Sequence, residues 1–217
     1  MNIDRHKVFI SYYHNDDQEF KNLLVNKVYY DYSKNECVSI FDDYSVGNGD
    51  IDDTNLTDEQ IRRKIRDEYM REATVLILLC GENTKNRKHI DWEIHTAMYN
   101  SEKNRQMGII VINLPSISRK QCVRVSTEDE KELVSPNSIW TNIKSYADAE
   151  QRYPYMPKRI LDNIAQGKEI TVVNWSRIDS SNEILMQLID NAFKRKDNIK
   201  YDHSMPLQGR NTVCARK

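Results

Sequence analysis

Hydrophobic residues along this chain follow two alternating patterns. Short continuous apolar runs are typical of strands buried on both faces, and apolar residues spaced three or four apart are typical of amphipathic helices. The runs that predict strands are Lys7–Tyr13, Cys37–Phe41, Thr74–Cys80, Gly108–Leu114 and Ile170–Trp175. The stripes that predict helices are Phe20–Val28, Ile61–Ile65, Ile90–Met98 and Ile184–Ala192. This alternation predicts an α/β fold with a mainly parallel, five-stranded sheet and right-handed crossovers.

The length of 217 residues suits one sizeable domain. We predict a single domain over residues 1–196. Within it, residues 115–168 are predicted to form an irregular insertion. Ser116–Asn137 carries mixed charges without a period and is predicted to lie on the surface, whereas Pro157–Ala165 predicts a short helix that begins at a proline and ends before Gly167. Apolar residues are few from residue 197 onward, so residues 197–217 are predicted to form a flexible C-terminal tail.

The stretch Glu72–Lys103 joins the most apolar predicted strand to an amphipathic helix. At about 100° per residue, Glu93 lies at the edge of the apolar stripe of that helix, so its carboxylate is expected to be half desolvated. It also lies in the first turns of the helix, beside the carboxyl end of a strand, where open α/β sheets bind ligands. Glu93 is therefore the first candidate for a catalytic residue. The alternative is a surface carboxylate paired with His89 or with a lysine.

Polar and aromatic residues follow the first predicted strand. Ser11 ends this strand, and Tyr12, Tyr13 and His14 come directly after it. Aromatic rings at the end of a strand can stack on a base or another ring of a ligand. Core or interface packing would explain the aromatic residues equally well, and Ser11 has the alternative of a simple polar strand end. Ser11, Tyr12 and Tyr13 are candidates for substrate binding.

Three further residues are candidates for substrate binding. Asp42 and Asp43 open a polar, glycine-containing loop after the second predicted strand, and turn formation is their alternative role. His89 precedes Glu93 by four residues, so the two side chains share one face of the predicted helix.

Several enzyme and cofactor motifs are missing from the sequence. The stretch Gly47–Gly49 does not follow a strand-to-helix turn of the right length, so neither the Rossmann fingerprint nor the P-loop is present. No serine or cysteine hydrolase constellation stands out. A metal site at His89, Glu93 and His95 is disfavoured, because His95 points about 160° away from Glu93. We expect no metal and no redox dinucleotide cofactor.

The charge balance limits the partners that the chain can bind. Lys+Arg 32 against Asp+Glu 33 leaves a net charge of -1, so no basic field favours nucleic acid or an anionic membrane. No apolar run approaches the roughly 20 residues of a membrane span. The four cysteines are scattered without CxxC pairs, which favours reduced thiols and a cytoplasmic location.

In their order and spacing, these elements resemble the TIR domain. The matching features are a first strand Val8–Tyr12, a second strand ending in Ile40-Phe41-Asp42 before a polar loop, an apolar third strand, and a helix with a glutamate after the stretch Arg87–Trp92. The likeness extends over residues 5–115. It is greatest to the bacterial TIR-like branch that includes the ThsB sensors of the Thoeris antiphage system.

The resemblance implies a flavodoxin-like, three-layer fold and, in catalytic members, cleavage of NAD at the nicotinamide–ribose bond. It implies that Glu93 is the catalytic glutamate and that Ser11 and its neighbours line the nucleotide pocket. It also implies that the loop Asp42–Gly49 gates the site and makes assembly contacts. One feature departs from the family, which often carries a tryptophan four residues before the glutamate. Here His89 holds that position, and Trp92 directly precedes Glu93.

The expected function is that of a NAD-consuming enzyme in antiphage defence. It would release an ADP-ribose-derived signal, linear, cyclic or conjugated, for a separate effector, with NAD as the substrate and no further cofactor. Self-association through TIR surfaces is also implied by the resemblance. Two alternatives stay open. A non-enzymatic TIR interaction module would use the loop Asp42–Asp53 and the helix faces, and a nucleoside deoxyribosyltransferase-like enzyme would also use a glutamate.

Overall fold

The computed structural model describes residues 4–47, 56–102, 104–137 and 142–211. Its strands are β1 (Lys7–Ser11), β2 (Val28–Asp31), β3 (Glu36–Ser39), β4 (Asp42–Asp43), β5 (Val75–Cys80), β6 (Gly108–Asn113) and β7 (Thr171–Asn174). Five of them form a parallel sheet in the order β4-β1-β5-β6-β7, and β2 and β3 form a separate antiparallel pair. Apart from the β2–β3 pair, this is the flavodoxin-like strand order. The predicted α/β class and the five-stranded sheet are confirmed.

Helices cover both faces of the sheet. They are α1 (His14–Val25), α2 (Asp58–Lys64), α3 (Lys88–Met98), α4 (Lys131–Val134), α5 (Tyr146–Arg152), α6 (Lys158–Ala165), α7 (Trp175–Asp179) and α8 (Asn182–Arg195). A π-helical turn, Ile65–Met70, continues α2, and short 3-10 helices lie at Thr84–Asn86, Glu128–Glu130 and Lys196–Asn198. Apolar residues of α3 and α6 pack on one face, and those of α1, α7 and α8 pack on the other. Among the described helices, none has both the length and the apolar character that crossing a bilayer requires.

The central strands β5 and β6 are buried along their whole length. Side chains of β5 alternate between the two faces, with Leu76 and Leu78 toward α3 and with Ile77 and Leu79 toward α8. This burial on both faces is the reason that the sequence shows a continuous apolar run rather than an alternating one. At the start of β6, a Cβ atom on Gly108 would lie 2.1 Å from the backbone oxygen of Ala192 in α8, so only glycine fits there.

The strand predicted at Cys37–Phe41 is divided between two structures. Its first residues belong to β3, which pairs with β2 outside the main sheet. Ile40 and Phe41 are buried and lead into β4, whose two residues pair with β1. Val28 was predicted to lie on the stripe of the first helix, but α1 ends at Val25 and Val28 begins β2. The turn between α1 and β2 carries no strong breaker, so the pattern alone extended the helix too far.

The C-terminal third is more ordered than its pattern predicted. Residues 115–168, predicted as an irregular insertion, contain α4 and α5, which no pattern predicted, and α6, which confirms the short helix predicted at Pro157–Ala165. Helix α6 buries Ile160, Leu161 and Ile164. A flexible tail was predicted from residue 197, but residues 197–211 pack back on the domain and bury Ile199 and Tyr201. Contacts with distant parts of the chain hold this segment, and a local pattern does not report them. The domain boundary at residue 196 stays a prediction.

Candidate functional site

A cavity of about 450 Å³ opens beside the carboxyl end of β1. Here α1 leaves β1 on one face of the sheet while α3 follows β5 on the other, and such a reversal is where open α/β sheets bind ligands. Five parts of the chain contribute to its walls: the segment after β1, the loop after β4, α2 with its π-helical turn, α3, and residues 197–211, which we call the C-terminal segment. Its lining residues are Tyr12, Tyr13, His14, Asn15, Val46, Gly47, Ile61, Ile65, Arg87, His89, Ile90, Glu93 and Asn211.

Ser11 and Glu93 meet at the wall of this cavity. The Ser11 hydroxyl donates a hydrogen bond to Oε2 of Glu93 at 2.6 Å. Ser11 is the last residue of β1, and Glu93 lies in the second turn of α3. The sheet register therefore fixes one partner and the helix fixes the other, although the two residues are 82 positions apart in the chain.

Glu93 is more deeply buried than its position on the helical stripe predicted. It was expected at the edge of the apolar stripe, half desolvated, but its exposed fraction is only 9%. The difference arises because apolar residues of α2 and of the π-helical turn pack beside α3 next to Glu93. Ile61 of α2 and Ile65 of the π-helical turn line the same cavity and exclude water from the carboxyl group.

Burial raises the pKa of Glu93 to about 8, and the hydrogen bond from Ser11 lowers the pKa only in part. The cause is the cost of moving a carboxylate out of water without an opposite charge nearby. Within the described residues, Glu93 has no ion pair with a lysine, arginine or histidine. At neutral pH the free protein therefore keeps a proton on Glu93. A strongly perturbed carboxyl group in a cleft is a candidate for a catalytic group.

The stability of the protein is expected to depend on pH through Glu93. The pKa is about 8 in the folded state against an ordinary value of 4.5, so between these values the folded protein keeps a proton that the unfolded chain has lost. Stability is then complete below pH 4.5 and falls by a few kcal/mol as pH rises to about 8. Ser11→Ala removes the hydrogen bond that lowers the pKa of Glu93, so in this variant the free energy of unfolding should continue to fall above pH 8. Urea unfolding between pH 4 and pH 9 measures how steeply the free energy of unfolding changes with pH.

The Glu93→Gln variant is the control, because glutamine does not titrate. Its unfolding free energy should lose the part of the slope that belongs to Glu93. An identical slope in the wild-type protein and in Glu93→Gln would show that another group titrates instead.

The three aromatic residues after β1 have different surroundings. The ring of Tyr12 stacks on that of His14 with centroids 4.4 Å apart, and its hydroxyl donates to Oε1 of Gln18 at 2.9 Å. Tyr12 is 4% exposed and belongs to the apolar core on the α1 face, so core packing accounts for most of its surface. Tyr13 is only partly buried and faces the cavity with the guanidinium of Arg87 lying 3.7 Å from its ring centroid.

His89 lies in the first turn of α3 and lines the cavity together with Glu93, as the shared helix face predicts. Its ring packs against that of Trp92 with centroids 4.9 Å apart. Trp92 itself is not among the cavity-lining residues. It is buried against the C-terminal segment, where its Nε1 donates to the backbone oxygen of Gln208 at 3.0 Å.

Asp42 and Asp43 were predicted to bind substrate, but neither lines the cavity. Asp42 forms an ion pair with Arg5 at the edge of the sheet. Asp43 accepts a hydrogen bond from the backbone of Ser45 at 2.9 Å and pairs with Lys21 at 2.8 Å. The contacts of Asp43 support its alternative role, turn formation, whereas the carboxylate of Asp42 is held by the ion pair with Arg5. The predicted gating loop runs from Asp42 to Gly49, and its part beyond Gly47 lies outside the described residues.

The cavity also contains residues that were not among the candidates, and Arg87 and Asn211 are the most polar of them. Arg87 directly precedes α3, so the sequence alone could have predicted that it lies near Glu93. Asn211 had no such signal. It reaches the cavity from 123 residues away, and its Oδ1 accepts a hydrogen bond from the backbone N–H of Lys88 at 2.9 Å. It thereby caps the first turn of α3, for which the preceding residue supplies no side-chain cap.

A buried arginine ties the C-terminal segment to α3. Arg159 of α6 is fully buried and forms two hydrogen bonds to the carboxylate of Asp91, at 3.0 and 3.1 Å. It also donates to the backbone oxygens of Met205 and Pro206, at 3.0 and 3.2 Å. Asp91 accepts a third bond from the backbone N–H of Gln208 at 2.9 Å. One arginine thus connects the helix that carries Glu93 with both α6 and the C-terminal segment.

His95 lies away from the cavity, as its angle on the helix predicts. Its ring neighbours are Tyr99 and His203, with centroids 6.1 Å away in each case. Burial and the charge of Arg159 lower the pKa of His95 to about 4. Across the described ranges, no group of three or more histidine, cysteine, aspartate or glutamate residues is arranged to hold a metal ion.

Comparison with known proteins gives one family match. The family described as the TIR-like domain of the Thoeris protein ThsB matches residues 9–119, just over half of the chain. No curated protein and no solved structure matches the chain significantly. The matched range includes the last three residues of β1 and the whole of α2, β5, α3 and β6, and therefore both Ser11 and Glu93. Arg159 and Asn211 lie outside it.

Proposed function

The chain belongs to the ThsB TIR-like family of Thoeris antiphage proteins, and from this we propose that it cleaves NAD at the nicotinamide–ribose bond. The observation that carries the proposal is the buried carboxyl group of Glu93 at the wall of the cavity, held by Ser11 at 2.6 Å. A carboxyl group fixed in a water-poor cavity can stabilise positive charge that develops in a transition state. The family membership makes NAD the natural source of such a charge.

The proposed chemistry needs one carboxylate. The bond between ribose C1′ and the nicotinamide nitrogen breaks, and its electron pair leaves with nicotinamide, which departs as a neutral molecule. The C1′ centre becomes an oxocarbenium ion, and the Glu93 carboxylate stabilises it as carboxylates do in glycoside hydrolysis. Water, an internal ring nitrogen or another small molecule then attacks C1′, and Glu93 can accept the proton that this nucleophile loses. The product is linear, cyclic or conjugated ADP-ribose, according to the nucleophile.

We expect kcat/KM for NAD to rise with pH. Glu93 holds a proton in the free protein because its pKa is about 8, whereas the proposed step needs the carboxylate. Below this value, kcat/KM should rise about tenfold per pH unit and then level off, because it reports the free enzyme. The profile of kcat should level off at lower pH, since the positive charge of bound nicotinamide lowers the pKa of a nearby acid. Initial rates between pH 5.5 and pH 9.5 test both profiles, and a flat kcat/KM would argue against ionisation of Glu93.

The other cavity residues support the proposal through their chemistry. A volume of about 450 Å³ lies within the roughly 300–1,000 Å³ range of ligand pockets. In the proposed complex Ser11 orients the carboxyl group, and the rings of Tyr13 and His89 are available to stack on the bases or the ribose. His89 takes the place of the tryptophan common in the family and would form the pocket wall there.

The biological role follows from the family. We propose that the product is a signal for a separate effector of the defence system, and that the protein assembles through TIR surfaces when infection activates it. NAD serves as the substrate and no additional cofactor takes part. The free thiols of the described Cys37, Cys80 and Cys122 support a reducing compartment, which is the cytoplasm.

The test is mass spectrometry of small molecules after incubation of the purified protein with NAD. The reactions should include lysate from phage-infected cells, because a sensor that awaits infection can be inactive alone. The expected result is loss of NAD with release of nicotinamide and a new ADP-ribose species. Glu93→Gln protein in the same lysate distinguishes this activity from that of enzymes in the lysate.

The two alternatives predict other outcomes. A folded protein that leaves NAD intact under every activating condition would be an interaction module. Exchange of the base on a deoxynucleoside, with NAD untouched, would indicate a deoxyribosyltransferase-like enzyme.

A further inference from the structure

One permanent positive charge lines the cavity within the part of the chain that the structure describes. Of the described residues that line it, only Arg87 is an arginine or a lysine. It directly precedes α3, and Glu93 lies six residues further along, about 9 Å along the helix axis at 1.5 Å per residue. The cavity is therefore lined by both a cationic side chain and a carboxyl group, which lie at different heights along α3.

The guanidinium of Arg87 packs against an aromatic ring and has no anionic partner among the described residues. It lies 3.7 Å from the ring centroid of Tyr13, within the range of a cation–π contact. Its Nε is buried and has no hydrogen-bond partner in the part of the chain that the structure describes. Neither does any described aspartate or glutamate form an ion pair with it, whereas the neighbouring Lys88 pairs with Asp58 at 2.7 Å. Buried polar groups in proteins almost always have a partner, either a protein group, an ordered water or a bound molecule, so this donor is free to bind a ligand that enters the cavity.

The first turn of α3 does not compete for this role. The backbone N–H of Lys88 already has a partner in Oδ1 of Asn211. The group in the cavity that can bind an anion is therefore the Arg87 side chain, and not the first turn of α3. A guanidinium matches phosphate especially well, because its planar set of donors can form two parallel hydrogen bonds to phosphate oxygens.

We propose that Arg87 is a specificity-determining residue that binds the diphosphate of a dinucleotide, with the nicotinamide riboside directed toward Glu93. This inference rests on the proposed function for the identity of the ligand, but its binding step needs no turnover. Tyr13 has the role of a positioning residue, because its ring lies 3.7 Å from the guanidinium carbon and holds that group in place. The separation of about 9 Å along α3 is one that a ribose and its 5′ phosphate can bridge.

Equilibrium binding by calorimetry tests this assignment without catalysis. The probes are ADP-ribose, which carries the diphosphate, and adenosine, which has no phosphate. Arg87→Gln is expected to weaken ADP-ribose binding about 10- to 100-fold, the usual effect of removing a hydrogen-bonded charge from an anion. It should leave adenosine binding unchanged. Arg87→Lys should recover only part of the loss, because lysine keeps the charge and lacks the planar set of donors.

Lys88→Gln is the matched control, since it removes one positive charge from the adjacent residue, which does not line the cavity. It should bind ADP-ribose within about twofold of the wild-type protein, the scale of a screened exposed charge. Equal melting temperatures of the variants exclude a folding defect. The assignment is overturned if ADP-ribose does not bind the wild-type protein, if Arg87→Gln binds it normally, or if the variant loses adenosine and ADP-ribose to the same extent. Binding that depends on Arg87, in a protein that leaves NAD intact under every activating condition, would leave the anion site in place and reject the proposed enzyme.

Discussion

Replacing Glu93 with glutamine is expected to lower the rate of NAD cleavage by at least 100- to 1,000-fold. This is roughly the effect of removing one preorganised group that stabilises transition-state charge. Glutamine has the size of glutamate and can still accept the hydrogen bond from Ser11, so the cavity should keep its shape. The loss should appear in kcat more than in KM, because the carboxylate acts on charge that develops only in the transition state. Rates of nicotinamide release under activating conditions measure the effect.

The matched control for this prediction is Glu72→Gln, which makes the same chemical change at an exposed ion pair with Lys7. Its activity should stay within about twofold of the wild-type rate, because exposed pairs contribute little. The Glu93→Gln protein should also be at least as stable as the wild-type protein above pH 8, since it no longer holds a buried charge there. A Glu93→Gln variant that retains full activity would remove Glu93 from the mechanism and move attention to other groups in the cavity.

Replacing Arg159 with leucine is expected to destabilise the protein by about 3–5 kcal/mol. Breaking a buried ion pair from one side costs this much because the other charge stays buried without its partner. Asp91 would keep only the bond from the backbone N–H of Gln208, and the backbone oxygens of Met205 and Pro206 would lose their donor. For a chain of about 200 residues, the melting temperature should fall by on the order of 10 °C. Urea unfolding and thermal melting both measure this effect.

Two further variants identify the cause of that loss. Arg63→Leu breaks an exposed pair with Glu59 and should cost less than about 1 kcal/mol. The double variant Asp91→Leu with Arg159→Leu removes both charges and should recover part of the stability, although not all, because the two backbone oxygens stay unpaired. If Arg159→Leu melts at the wild-type temperature, the ion pair does not anchor α3, and the C-terminal segment must be held by its apolar contacts alone.

The main elements of the sheet could be predicted because each of them carries its own local signal. The runs that became β5 and β6 are apolar at every position, which is the pattern of strands buried on both faces. The edge strand β4 has only two residues and both are acidic, so no pattern marks it. Its place in the sheet is fixed by the pairing with β1, which is a tertiary contact.

The candidate site was predictable to the extent that its residues follow strands or lie on a helix stripe. Ser11 and Glu93 met this condition, and the structure brings them together. Asp42 and Asp43 met it as well, but their carboxylates bind neighbouring backbone and cationic groups instead. Arg159 gave no signal, because a charged residue of an amphipathic helix usually lies at the surface and becomes buried only when a distant partner exists. Asn211 also gave no signal in the sequence, because its contact is with Lys88, 123 residues away in the chain.

The position of β7 has a consequence for any attempt to work with the family-matched range alone. A fragment that ends at residue 119 would lack β7, which pairs with residues 110–113 of β6. The backbone N–H and C=O groups along that side of β6 would then form an open, flat and apolar sheet edge, the kind of edge that templates aggregation between chains. The matched range therefore contains both Ser11 and Glu93, whereas protection of the sheet from other copies depends on residues beyond it.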